Sequence, residues 1–151
     1  MRPTIEEQLL GTCRILEKVV APCVADPYAR TILEGLVGNL RMLTRALPAV
    51  PGFFHSDNRA TVGLLGQFQA VVAPHLAAAI ALALGRPEPD AADMTAIEQR
   101  NNELRELLSQ ALGGAGLTLA MRAAAIEHMS ARAAAAPMRY VSTTALPAKA
   151  T

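Results

Sequence analysis

Apolar residues recur along this chain at three- and four-residue intervals, in segments bounded by capping residues, prolines and glycines. The first segment opens with Thr4-Ile5-Glu6-Glu7 after Pro3, a capping box. Ile5, Leu9, Thr12, Cys13, Leu16, Val19 and Val20 then share one helical face opposite Glu6, Glu7, Arg14, Glu17 and Lys18, and Pro22 closes the segment. Asp26-Pro27 is an N-cap followed by proline at the first helical position. It starts a second helix that runs to about Leu47, with Ile32, Leu33, Leu36, Leu40, Leu43 and Leu47 as its apolar stripe. Thr31, Gly35, Gly38 and Met42 form a small-residue face that another helix could approach closely. Pro48 to Asn58 reads as a loop carrying Phe53, Phe54 and His55, with Ser56 or Asp57 capping a third helix that extends to about Ala73.

Pro74 either kinks that helix or begins a fourth, and His75 to Leu84, apolar nearly all round, is expected to be the most buried segment. Gly85 ends it, and Arg86-Pro87-Glu88-Pro89 is a stiff connection. Asp90 or Asp93 caps a fifth helix with Met94, Ile97, Leu104, Leu107, Leu108, Ala111 and Leu112 facing inward, broken by Gly113, Gly114 and Gly116. An alanine-rich sixth helix runs from about Leu117 to Ala136. The pattern predicts an all-α, single-domain bundle of five to six helices over 1–136, with an irregular or disordered tail over 137–151.

Composition narrows the function classes. The chain has 151 residues, 52% of them hydrophobic but only 3% aromatic, and 14 Lys+Arg stand against 13 Asp+Glu. Near-neutral charge, no basic cluster and no aromatic-and-basic strip argue against nucleic acid as a partner. The longest apolar run, Val71 to Leu84, is interrupted by Pro74 and His75 and falls short of the roughly 20 residues a bilayer needs, so no membrane is expected. Glu6 and Glu7 stand where a signal peptide would be apolar, so the expected location is cytoplasmic, with Cys13 and Cys23 as small buried thiols.

A few polar residues sit against the pattern. Asn39 projects onto the edge of the Ile32/Leu36/Leu43 stripe; Asn101 lies between Ile97, Leu104 and Leu108, and Arg100 borders the same face. A buried amide without partners costs about 1–3 kcal/mol, so each needs a hydrogen bond, a water or a ligand. Two readings stay open: these groups tie helices in register, or Asn39, Arg100 and Asn101 converge on a pocket for a small acidic ligand, where a guanidinium with two amides suits a carboxylate or phosphate. His55 is either exposed beside two phenylalanines that plug one end of the bundle, or a general base held by Asp57.

No pair among His55, His75 and His128 has helical metal-site spacing, so neither a metal nor another cofactor is expected. Glu98 to Glu106 looks site-like but projects mostly onto the solvent side. No nucleophile elbow or phosphate-binding glycine loop occurs, and no catalytic residue is assigned.

Glu7-Gln8-Leu9-Leu10-Gly11-Thr12, Asp26-Pro27-Tyr28-Ala29-Arg30 and Val37-Gly38-Asn39 resemble a family of small uncharacterised bacterial helical proteins. The resemblance covers about the first third of the chain. Members tend to be encoded near aminoglycoside-phosphotransferase-like kinases and acyl-CoA dehydrogenases. The resemblance implies an accessory role in acyl-CoA or small-molecule metabolism, through a protein partner, and carries over no catalytic residue. The expected function is therefore a non-catalytic interaction protein, with a homodimer or another protein as partner. The alternative is a binder or enzyme using Asn39, Arg100, Asn101 and His55 on an acidic or acyl-CoA-like ligand.

Overall fold

A computed structural model describes residues 3–137, and among them the fold is all-α, with six α-helices and no strand. The tail expected over 137–151 lies, apart from Pro137, outside the described residues. The chain divides into two compact units where one helical domain is expected: the described residues up to Pro48, and Ala49–Ala136. No described helix is long and apolar enough to cross a membrane.

The first unit is a helical hairpin. Helix α1 (Ile5–Ile15) begins at the predicted capping box: Thr4 Oγ1 accepts from the Glu7 amide at 3.2 Å, and Glu7 Oε2 accepts from the Thr4 amide at 2.8 Å. Pro22 has no N–H to give to the ladder, and just before it the chain widens into a π turn over Leu16–Val20 and then tightens into a 3₁₀ turn over Ala21–Cys23. Helix α2 (Pro27–Ala46) starts on Asp26, whose carboxylate accepts from the Ala29 amide at 2.8 Å. The helix runs back along α1, and Arg41 reaches Glu17 at 2.7 Å.

The predicted stripe of α2 is not the face it buries. Leu33 and Val37 line a groove with Leu16 and Ala21 of the first segment, whereas Ile32, Leu36 and Leu47 are exposed. With 3.6 residues per turn, the buried Val37 and Thr44 lie roughly a quarter of a turn from the stripe's centre. Of residues 3–48 only Cys13, Val37, Thr44 and Ala46 are buried, and Cys23, expected inside, is exposed.

The second unit holds four helices: α3 (Val50–Phe68), α4 (Pro74–Leu84), α5 (Met94–Gly113) and α6 (Leu119–Ala135). The expected loop over 48–58 is largely the first part of α3. Pro51 sits in the first turn, where its fixed φ suits a helix and its missing N–H costs nothing. Pro74 starts a separate helix instead of kinking α3. Asp93 and Thr118 cap α5 and α6, accepting from the Ala96 amide at 3.0 Å and the Met121 amide at 3.2 Å. Helix α3 packs against α4, α5 and α6, and α4 also against α5. The core gathers Leu65, Phe68, Ile80, Leu104, Ala111 and Ala125. Helix α4 buries only Leu76, Ile80 and Ala83, so it is a one-faced surface helix and not the most buried segment. Gly116 does more than stop a helix, since a Cβ there would run into the Val71 carbonyl.

Candidate functional site

Six polar side chains from α3, α5 and α6 meet inside the second unit. Asp57 and Asn58 face inward from α3, with Thr61 one turn later; Asn101 enters from α5, and His128 and Arg132, also one turn apart, enter from α6. Asn101 is fully enclosed by this group. Its amide nitrogen donates to Asp57 Oδ2 at 2.7 Å and Asn58 Oδ1 at 2.8 Å, which uses both of its hydrogens. Asn58 donates in turn to the Ile97 carbonyl at 3.2 Å. Arg132 Nε donates to Asp57 Oδ2 at 2.7 Å, and its terminal nitrogen reaches Asn101 Oδ1 at 3.4 Å. The Phe53 ring lies 5.4 Å from the Arg132 guanidinium carbon, and Phe54 meets Phe53 edge-on at the same centroid distance.

Thr61 Oγ1 lies within hydrogen-bond reach of both the Asp57 carbonyl, at 2.8 Å, and His128 Nε2, at 3.0 Å. His128 Nε2 also stands 3.7 Å from Asp57 Oδ1, a buried oxygen with no hydrogen-bond partner. Thr61 has no exposed surface and its hydrogen is engaged, so the hydroxyl is held as a strut and cannot serve as a nucleophile. No group of three His, Cys, Asp or Glu side chains gathers among the described residues.

The four residues singled out from sequence do not converge. Asn101 is buried, at the centre of the cluster. Arg100 is buried beside it in sequence but turns away, its guanidinium 3.4 Å from the Arg86 carbonyl. Asn39 is exposed on α2, in the other unit, and belongs to no buried pocket. His55 is half-buried on α3 with Nε2 enclosed and unpartnered. Asp57 does not hold it, because residues two apart on a helix face different ways. Thr61 and Arg132 escaped the sequence reading, and His128 entered it only as a candidate metal ligand. The local trace they leave is the four-residue spacing Asp57/Thr61 and His128/Arg132, two polar pairs that each occupy one side of a helix.

Two surface features adjoin these elements within their own units. A cleft of about 360 Å³ between α5 and α6 is lined by Arg105, Ser109, His128 and Arg132, with Leu108 and Met129 among its apolar walls. On α2, Tyr28, Ile32 and Leu36 follow one another at four-residue intervals, 74%, 47% and 54% exposed. No family model matches this chain, and neither a curated protein nor a solved structure matches it.

Proposed function

We propose that this protein is a non-catalytic helical interaction protein that pairs with a second copy of itself through α2. The observation that carries this reading is the exposed ridge Tyr28, Ile32 and Leu36, an apolar line that a solitary helix face has no physical reason to keep in water. Its flank is open as well: a Cβ at Gly35 or Gly38 would meet nothing within 4 Å, so a second helix backbone has room to approach. A second copy fits better than a strongly charged partner, because residues 3–48 carry five basic and five acidic side chains and do not repel their own image. Asn39 lies beside the ridge, and an amide, donor and acceptor at once, complements itself across a two-fold axis and fixes helix register.

The accessory place in acyl-CoA or small-molecule metabolism comes from the family resemblance of the first third of the chain.

Sedimentation over a dilution series tests the pairing. The expected result is a dimer that Leu36→Glu weakens by about 100-fold, since two carboxylates would be buried in apolar contact. Helical circular dichroism of that variant should be unchanged. A single-chain mass at every concentration, or a dimer indifferent to Leu36→Glu, overturns the reading. If Leu36→Glu does not fold, Asn39→Cys in a Cys23→Ser background decides: oxidation links two copies if α2 pairs with α2 and yields no linked dimer if it does not.

A further inference from the structure

The cleft between α5 and α6 combines charges and apolar walls in a way that the pairing of α2 does not use. Arg105 is exposed on α5 and takes part in no ion pair or hydrogen bond among the described residues. Among the described residues no acidic side chain lines the cleft. Arg132, with its side chain 24% exposed, contributes a guanidinium already oriented by Asp57, Asn101 and the Phe53 ring, so little freedom is lost when it binds a further group. Asp57 offsets the charge of Arg132, which leaves Arg105 as the uncompensated positive charge and matches a ligand bearing one negative charge. Ser109 adds a hydroxyl one helical turn after Arg105. Leu108, Leu112 and Met129 line the same hollow with apolar surface.

We infer that this cleft binds a small organic carboxylate, its anionic end on Arg105 and Arg132 and its apolar body against Leu108, Leu112 and Met129. A guanidinium fork presents two parallel N–H donors to the two oxygens of a carboxylate. The volume, about 360 Å³, lies at the small end of ligand sites, which run from about 300 to 1,000 Å³, and suits a compact molecule rather than a nucleotide or a polymer. The buried network beneath makes the site rigid: Asp57 and Asn101 hold Arg132 from below, and Thr61 and His128, the latter also lining the cleft, pack against Asp57.

Titration of the full-length protein with benzoate, benzamide and inorganic phosphate, followed by amide chemical shifts, tests the site. Benzoate is expected to give saturable shifts confined to residues 105–112 and 128–133. Benzamide, which lacks the charge, and phosphate, which lacks the apolar body, should each bind about tenfold or more weakly. Arg105→Gln removes no bond among the described residues and should fold normally while losing about tenfold or more in benzoate affinity. Met129→Glu, which sets a carboxylate in the same hollow, is the second variant should the first not fold, and it is expected to abolish benzoate shifts. Absence of saturable benzoate shifts in the wild type overturns the inference. So does phosphate or benzamide binding as tightly as benzoate, or undiminished affinity in the variant that folds. The outcome is independent of the oligomeric state.

Discussion

Asn39 and Asn101 both interrupt leucine-rich helix faces, yet one stands in solvent and the other has no exposed surface. The difference lies in what each helix packs against within its own unit. Helix α2 meets α1 through Leu33 and Val37, side chains on another side of the helix, so Asn39 and its neighbours face outward. Helix α5 meets α3 through the very face that carries Asn101. There the amide has Asp57 and Asn58 within 2.8 Å, and the desolvation it suffers is offset by two short hydrogen bonds and a third, longer one from Arg132. Polar residues in apolar stripes thus mark two different things in one chain: a solvent-exposed face on α2, and an internal lock on α5.

Removing the carboxylate at the centre of that lock should have the largest effect. Asp57→Ala leaves Arg132 without its ion pair and Asn101 with one acceptor fewer, and an expected loss of about 3–5 kcal/mol in unfolding free energy would appear in urea titration. Asn101→Leu comes next. It orphans Asn58 Oδ1 and one of the two hydrogen bonds to Asp57 Oδ2, for an expected loss of about 1–3 kcal/mol, read as a lower thermal midpoint. An unchanged or raised midpoint would mean that the amide is dispensable and the buried network stabilises nothing. The same substitution on the hairpin, Asn39→Leu, should shift stability by less than about 0.5 kcal/mol at concentrations where the chain is a single copy. A large loss there would erase the contrast, by showing that Asn39 too is held inside.

Much of the helix punctuation was legible because caps are local. Thr4 with Glu7, Asp26 before Pro27, and Asp93 each satisfy amides within three residues, and nothing distant can change that. Pro51 misled for the opposite reason: it falls within the expected loop over 48–58, although a first-turn proline is compatible with a helix. Once α3 starts at Val50, Asp57 changes from a capping residue in a loop to an inward-facing carboxylate. That single shift hid the cluster, since Asn101, His128 and Arg132 lie 44 to 75 residues further along the chain. The face of α2 was unreadable for a related reason. Its leucines and its valine are all apolar, and which of them meets α1 depends on how closely two backbones approach.

The π turn before Pro22 has a consequence for every side chain that follows it in the first segment. Five residues spent on a wider coil make the last turn lag behind a regular helix by most of one residue step. Val20, which a strict 3.6 periodicity aligns with Cys13, is thereby carried out of phase and emerges into water. One absent N–H thus reorients the end of the hairpin.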